Sequence, residues 1–331
     1  MNFNKYKYCF SPISKEFVDS VMDYSNKCNI PFIFIPTRRQ IEFDGGYVNS
    51  WDSKTFCNYV KNNSKHILVE RDHGGPNQGY GEDDGIISLT DDCKYYDIIH
   101  IDPWIKTKMY SEGLKYTINL VNHCYTINNN LYFEVGTEEK IRKFEVNELD
   151  KFLYDLKDNL KKEIFDRIVY VVVQGGTILH DNKNLGTTND NRLQDMVNII
   201  KKYNKYSKEH NGDFLDDNII QNKFNVGLDA INIGPEFANL QTKVILEELK
   251  NDSIVFNKIY ELCYLSKKWV KWVDKNFIPE ENKEKLILIS CHYIYSNDNF
   301  KKIVSNKTDN IKIKYNKIIF DKLYLFTPLK L

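Results

Sequence analysis

The sequence predicts an α/β protein of the (β/α)8 barrel class with a mostly helical C-terminal extension. Two observations lead to this prediction. Short, continuous apolar segments alternate with longer amphipathic segments along the first part of the chain, as buried parallel strands alternate with helices. About eight such strand–helix repeats can be counted before residue 252, and this is the number that closes a parallel barrel.

The predicted strands are short apolar segments that end in polar or glycine-containing turns. They cover 6–10, 31–35, 67–69, 98–101, 131–135, 168–173, a polar and poorly patterned segment at 208–213, and 230–233. Helical periodicity predicts the connecting helices. These helices cover 14–28, 51–60, 111–123, 146–161, 191–203 and 235–249.

The pattern changes beyond Asp252, which we take as the end of the barrel. We predict a barrel over 1–252 and an extension over 253–331 that packs on it. Residues 254–273 have apolar side chains at roughly helical spacing and predict one amphipathic helix. The segments 286–290 and 311–315 have strand-like apolar patterns, although they could also be irregular.

Composition argues against several classes of partner. Lys plus Arg is 46 and Asp plus Glu is 46, so the formal net charge is zero and a nucleic-acid partner is not expected. No apolar segment approaches the roughly 20 residues that span a bilayer, so no membrane partner is expected. The seven cysteines occur singly without a C-x-x-C pair, which is typical of a reducing compartment. We therefore expect a cytoplasmic protein.

Polar side chains follow several predicted strands directly. They are Asp72, His73, Asp102, Glu138, Gln174 and His210. Because the carboxyl ends of all strands open onto one face of a barrel, these side chains should converge there. Two imidazoles and one carboxylate from three strands form a ligand set for a divalent ion such as Zn, Mn or Mg. We predict His73, Glu138 and His210 as the ligands.

Some assignments within this set stay open. Strand alternation places Asp72 opposite His73 unless the following turn re-aims it, and Asp72 would then serve as acid or base rather than as ligand. Glu139 could replace Glu138, because one sequence does not show which face each occupies. We interpret His100, in the middle of a strand, as a hydrogen-bonded core histidine.

Several segments resemble the accessory subunits of class II tagatose-bisphosphate aldolases, which belong to a wider group of metal-dependent ketose-phosphate 4-epimerases. The matching segments are Thr37-Arg38-Arg39-Gln40 with Gly45-Gly46-Tyr47, Asp72-His73-Gly74-Gly75-Pro76-Asn77, His100-Ile101-Asp102, Gly136-Thr137-Glu138, Val171-Val172-Val173-Gln174 with Gly176, Glu209-His210 with Asp213, and Ile233-Gly234-Pro235.

The resemblance implies a barrel related to class II aldolases, with Asp72 as the proton carrier beside the metal ligands. It also implies catalytic positions at Asp102 and Gln174 and substrate contacts at Gln40 and Asn77. The backbone amides of Gly136 and Gly234 would be available for a substrate phosphate.

The sequence departs from the family at the predicted barrel mouth. Arg38 and Arg39 stand where the family has Ser-Asn, and Gln174-Gly175-Gly176 stands where it has Gln-Pro-Gly. The two arginines could hold a phosphate or a carboxylate, since a guanidinium suits both, or they could face solvent.

We therefore expect a metal-dependent carbohydrate enzyme that acts on a ketose or ketose phosphate by retro-aldol and aldol chemistry, with 4-epimerisation as the leading outcome. One alternative is a non-catalytic subunit that stabilises a class II tagatose-bisphosphate aldolase. Another is a metal-dependent sugar isomerase. We expect a sugar or sugar phosphate as the small-molecule partner. The candidate protein partners are a second copy of the chain or, as the resemblance implies, a class II aldolase subunit.

Overall fold

A closed barrel of parallel strands organises the computed structural model, which describes residues 2–249, 251–305 and 308–327. The strands are Tyr8–Phe10 (β1), Phe32–Phe34 (β2), Ile67–Gly74 (β3), Ile98–Ile101 (β4), Tyr132–Val135 (β5), Ile168–Val173 (β6), Leu179–His180 (β7), Lys183–Asn184 (β8), Tyr206–Glu209 (β9) and Ala230–Ile233 (β10). β7 and β8 form a separate antiparallel pair, and the others close in the order β1-β10-β9-β6-β5-β4-β3-β2. Within the described ranges this is an eight-stranded (β/α)8 barrel, which confirms the predicted fold class.

Helices follow the strands and surround the barrel. They are Lys15–Cys28 (α1), Ser53–Asn63 (α2), Ile86–Asp92 (α3), Tyr110–Ile127 (α4), Val146–Asn159 (α5), Lys162–Phe165 (α6), Asp190–Lys202 (α7), Asp217–Val226 (α8) and Pro235–Leu249 (α9). Local sequence sets their ends. Ser14 caps α1 by accepting from the Phe17 amide, and Asn29 ends that helix in the left-handed conformation.

The C-terminal part is helical throughout the residues that the structure describes. Its elements are Ser253–Leu265 (α10), a 3-10 helix at Val270–Trp272, Lys283–Ser290 (α11), a 3-10 helix at Cys291–Ile294, Asp298–Val304 (α12) and Thr308–Phe326 (α13). The single helix predicted over 254–273 is wrong, because Lys267 takes a positive φ of 56° after α10 ends. The segments 286–290 and 311–315 are helical, since a short apolar run fits a buried helix as well as a strand.

Helix α13 packs back onto the barrel against α1 and α9. The Phe326 ring stacks on Tyr8 of β1 with ring centroids 4.8 Å apart, and Tyr315 Oη donates to the Phe237 carbonyl at 3.2 Å. This helix therefore covers part of the barrel's outer wall. The domain boundary at 252/253 stays a prediction. The parts of the two predicted units that lie outside the described residues are 1, 250, 306–307 and 328–331.

The barrel interior changes from apolar to charged along its axis. Near the amino ends of the strands, the Phe3 ring contacts the rings of Tyr132 and Tyr170, with centroids 4.8 and 5.7 Å away. Further along, Lys208 Nζ lies 2.5 Å from Glu70 and 2.6 Å from Glu134, and all three side chains are fully buried. The segment that begins at Lys208 is polar because β9 points this lysine into the barrel, where Glu70 and Glu134 both accept hydrogen bonds from it.

Candidate metal centre and active site

A cavity of about 550 Å³ opens where the carboxyl ends of the barrel strands meet. Asp72, His73 and His210 line it, and the fully buried His100 adjoins them. Each of these four residues offers a ligand atom, and the four atoms lie within 4.8 Å of one another. Cavities of this size at this end of a barrel are where enzymes of this fold carry out their chemistry.

The end of β3 explains how neighbouring residues share one site. The register between β3 and β4 shifts between Arg71 and Gly74, and His73 takes a left-handed φ of 48°. This irregularity turns Asp72 and His73 toward the same cavity, which strict strand alternation would forbid. Gly74 allows the close approach to β4, since a Cβ there would lie 2.8 Å from the His100 carbonyl oxygen.

Two imidazoles each have one ring nitrogen held by a buried carboxylate. His73 Nδ1 lies 2.6 Å from Asp102 Oδ2, and His210 Nε2 lies 2.9 Å from Glu134 Oε1. This leaves His73 Nε2 and His210 Nδ1 for another partner. A carboxylate behind a histidine in this way is the usual support of a metal ligand, because it fixes the tautomer and the ring orientation.

His100 is held differently. Its Nε2 lies 3.1 Å from the Gly136 carbonyl oxygen, while Nδ1 accepts from the His73 backbone N–H at 3.2 Å and lies 3.4 Å from Asp72 Oδ1. His100 Nδ1 could therefore bind a metal only in exchange for the backbone contact. The interpretation of His100 as a hydrogen-bonded core residue agrees with these contacts, although its position beside the other ligand atoms was not expected.

The electrostatics of the group suit a cation. Burial alone would raise the pKa of Asp72, but His73 and the other two imidazoles lower it below its usual range. Burial alone would lower the pKa of His73, but Asp72 and Asp102 raise it to about 10. Positive charge is thus favoured between these carboxylates, and imidazole nitrogens with a carboxylate oxygen are suitable donors for a divalent ion. The residues present fit a metal.

Glu138, the predicted carboxylate ligand, lines the cavity but lies outside this group of four. Its carboxylate accepts a hydrogen bond from the Asn211 side-chain amide. Among the described residues, the carboxylate in this group of four is that of Asp72. The role of Glu138 as a ligand stays a prediction.

The two other predicted catalytic residues hold neighbouring groups in place. Asp102 is fully buried and also accepts from Thr137 Oγ1 at 3.1 Å, so its contacts position His73. Gln174 is not among the cavity-lining residues, and its side chain connects Phe144 N with the Thr137 carbonyl at 2.8 and 2.9 Å. Their catalytic roles stay predictions.

The predicted substrate-binding residues in the loops after β2 and β3 divide into two groups. Arg38 is buried, and its guanidinium forms salt bridges with Glu42 and Asp83, each 2.6 Å long. Asn77 pairs with the same Asp83 through two hydrogen bonds, and neither residue lines the cavity. Arg39 and Gln40 do line it, although Gln40 also donates to the Pro12 carbonyl. Substrate contact by these four residues stays a prediction.

One of the backbone amides predicted to bind a substrate phosphate, that of Gly234, already has a partner within the chain. Asp213 Oδ1 accepts from the backbone amides of Gly234 and Glu236 at 2.8 and 2.7 Å. The Gly136 carbonyl meanwhile accepts from His100. The two amides at the start of α9 therefore already meet a carboxylate, and phosphate binding at Gly136 and Gly234 stays a prediction.

Asn232 is a candidate that sequence reasoning missed. It lines the cavity and is only 5% exposed, yet both of its side-chain amide atoms lack a hydrogen-bond partner among the described residues. A buried amide without a partner beside a cavity is suited to bind a substrate hydroxyl. The available signal was a single polar residue in the otherwise apolar strand β10.

No family model and no curated protein sequence matches this chain. Its fold is similar to solved structures. The probable tagatose 6 phosphate kinase of Sinorhizobium meliloti 1021 has a TM-score of 0.70 at 14% identity, over 98% of this chain and 88% of that chain. The fructose-bisphosphate aldolase of Campylobacter jejuni has a TM-score of 0.58 at 11% identity, over 97% and 88%. The YdjI aldolase of Escherichia coli K12 has a TM-score of 0.56 at 11% identity, over 92% and 91%.

At these identities the likeness is one of fold. The chain has a (β/α)8 fold similar to that of these aldolases over nearly its whole length, and its polar cluster lies at the carboxyl ends of the strands. Within the described ranges, no helix is both long enough and apolar enough to cross a membrane. Substrate and reaction must be argued from the site itself.

Proposed function

We propose that this chain is a cytoplasmic, metal-dependent enzyme that acts on a ketose or ketose phosphate by retro-aldol and aldol chemistry, with 4-epimerisation as the outcome. The observation that carries the proposal is the convergence of Asp72, His73, His100 and His210 at the cavity, with carboxylates behind two of the imidazoles. The aldolase-type fold and the motif resemblance to ketose-phosphate 4-epimerases support the choice of substrate class.

His73 and His210 would hold the ion, with His100 or Glu138 as a further ligand. A bound divalent ion supplies Lewis-acid polarisation of a substrate carbonyl. Asp102 and Glu134 keep the two imidazoles in the orientation that presents their remaining nitrogens to the cavity.

Asp72 is the group that moves the proton. Against the effect of burial, the three imidazoles lower the pKa of Asp72, so it is ionised, and it lines the cavity. It accepts the proton of the substrate C4 hydroxyl as the C3–C4 bond breaks, and the electron pair of that bond passes through C3 to the C2 carbonyl oxygen as an enediolate. Asp72 returns the proton when the bond forms again. A positioned acid or base of this kind contributes on the order of 10²–10⁴-fold to the rate. The Asn232 amide lies in the same cavity and offers a donor and an acceptor to sugar hydroxyls.

Aromatic side chains form part of the cavity wall. Trp272 and Tyr293 from the C-terminal part line the cavity together with Tyr47. Trp272 Nε1 donates to Tyr293 Oη at 3.2 Å, which ties the two rings together. These rings offer apolar faces to a bound sugar, and the choice of epimerisation over cleavage rests on the motif resemblance to ketose-phosphate 4-epimerases.

The proposal is tested by metal content and by product analysis. The purified chain is loaded with Zn²⁺, Mn²⁺ or Mg²⁺, its bound metal is measured, and ketoses and ketose phosphates are screened for the 4-epimer and for released aldehyde. His73→Ala and His210→Ala should lose metal and turnover together, and Asp72→Asn should lose turnover by about 10²–10⁴-fold. His66→Ala, just before the amino end of β3, is the matched control and should behave as wild type.

Comparing His100→Ala with Glu138→Gln identifies the further ligand, since only the variant that removes a ligand should lower metal content. Equal metal content in His73→Ala, His210→Ala and wild type would reject the metal centre. Stimulation of a class II aldolase without ketose turnover would instead favour the accessory-subunit alternative. Solvent deuterium incorporated at C1 or C2 would favour the isomerase.

A further inference from the structure

A second group of charged side chains consists of cations and lies on and beside the wall of the same cavity, which Arg39 lines. Arg39 donates through Nε to the Gly79 carbonyl at 3.0 Å and lies over the Tyr80 ring. Lys268 Nζ lies 4.2 Å from the centroid of the same ring. Among the described residues, neither cation forms a salt bridge with a carboxylate. Arg39 and the neighbouring Lys268 therefore add positive charge at this side of the cavity without a carboxylate partner.

Lys271 extends this charge into the cavity. It lines the cavity with Arg39, and its Nζ lies 4.9 Å from the Trp272 ring and 5.2 Å from the Tyr293 ring. Lys271 is exposed at the edge of the cavity, and the surrounding protein, together with the repulsion from Arg39, lowers the pKa of its ammonium to about 8. A lysine held beside other cations and aromatic faces, with no carboxylate, is stabilised by an arriving anion.

His292 adds an unpaired polar group at the same place. Its side chain lines the cavity and is 6% exposed, and its Nδ1 has no hydrogen-bond partner in the part of the chain that the structure describes. Its ring lies against Tyr293, with centroids 3.9 Å apart. Buried nitrogens are rarely left without a partner, and those that are often mark a binding position.

We propose that Arg39, Lys271 and His292 form an anion subsite that binds the phosphate group of a ketose monophosphate. This inference rests on the proposed function and specifies its substrate class. The amides at the start of α9 already meet Asp213, whereas the cations of this subsite have no anionic partner among the described residues. A guanidinium and an ammonium that line one cavity without a carboxylate partner suit a phosphate dianion.

The subsite assigns a role to the C-terminal part of the chain. Lys271 belongs to the 3-10 helix Val270–Trp272 and His292 to the 3-10 helix Cys291–Ile294. Two segments outside the barrel strands therefore line the same cavity as Arg39 of the loop after β2. The metal centre and the subsite share one cavity. A ketose phosphate would place its carbonyl end at the imidazoles and its phosphate at these cations, and unphosphorylated ketoses would bind weakly.

Calorimetric titration of the full chain with fructose 6-phosphate, fructose and inorganic phosphate tests the subsite without requiring turnover. We expect fructose 6-phosphate to bind at least about tenfold more tightly than fructose, as expected when one or more charge-assisted hydrogen bonds form. Lys271→Gln and Arg39→Gln should each remove about tenfold of that affinity and leave fructose binding unchanged. Lys275→Gln, an exposed lysine on the same segment, is the matched control and should keep wild-type affinity.

The subsite and the enzymatic proposal can fail separately. If His73→Ala abolishes metal binding but keeps the preference for fructose 6-phosphate, the subsite stands on its own. If no ketose is turned over but Lys271→Gln still loses phosphate affinity, the subsite stands and the proposed reaction falls. Equal affinity for fructose and its phosphate, or equal losses in Lys271→Gln and Lys275→Gln, would overturn the subsite.

Discussion

Replacing Glu134 with glutamine should weaken metal binding, although Glu134 lies outside the group of four candidate ligands. Glu134 Oε1 is 2.9 Å from His210 Nε2, and its other oxygen accepts from Lys208 Nζ at 2.6 Å. A neutral amide at this position accepts more weakly and no longer fixes the imidazole tautomer. Loss of such a supporting partner typically costs about 10–100-fold in metal affinity, and we expect a decrease in that range.

Glu70→Gln is the control for this experiment. Glu70 accepts from the same Lys208 Nζ at 2.5 Å but has no contact with a histidine among the described residues. Both variants lose one charge-assisted hydrogen bond to Lys208, so both should lose roughly 1.5–3 kcal/mol of unfolding free energy. A loss of metal affinity of tenfold or more should appear in Glu134→Gln alone.

The assay is a competition titration of the metal-free proteins against a chromophoric chelator, with urea unfolding measured in parallel. The two variants are compared at matched fractions folded, so that instability cannot imitate weak binding. If both variants lose metal affinity equally, the contact between Glu134 and His210 does not support the site. If neither loses affinity, His210 is not a ligand.

Three further outcomes follow from buried polar groups. Burial raises the pKa of Asp213 to about 7 from roughly 4 in an unfolded chain, so its contribution to stability is present below about pH 4 and is lost as the pH rises through 7. Asp213→Asn keeps the acceptor oxygen but does not titrate. Between pH 5 and 8, urea unfolding should show that the unfolding free energy of the wild type falls relative to that of this variant. A difference in unfolding free energy that stays constant with pH would contradict this. Asn232→Ala should lower kcat/KM for a ketose substrate by about tenfold, as loss of two hydrogen bonds implies, while thermal unfolding stays unchanged. Lys208→Met should cost roughly 3–5 kcal/mol, because it leaves two buried carboxylates without their cation, and an unchanged melting temperature would refute this.

The barrel itself was predictable because its signals are local. Strands buried on both faces read as continuous apolar runs, and the strand ends are marked by residues such as Asp72 and Asp102. Since all parallel strands end on one face of a barrel, the place of the site followed from the fold class. The predictions failed in the C-terminal part, where 286–290 and 311–315 are short apolar runs that satisfy strand and helix equally and only packing decides.

Within the site, the sequence showed which side chains stand at the strand ends but not which way they point. The sequence by itself determined that Asp72, His73 and His210 stand at strand ends of one barrel face. Only the tertiary structure decided that the irregular end of β3 turns Asp72 and His73 to the same side. It likewise placed His100 beside them and brought Lys271, from far along the chain, to the same cavity as Arg39. These outcomes depend on strand register and on contacts between segments distant in sequence, and neither leaves a mark on local periodicity.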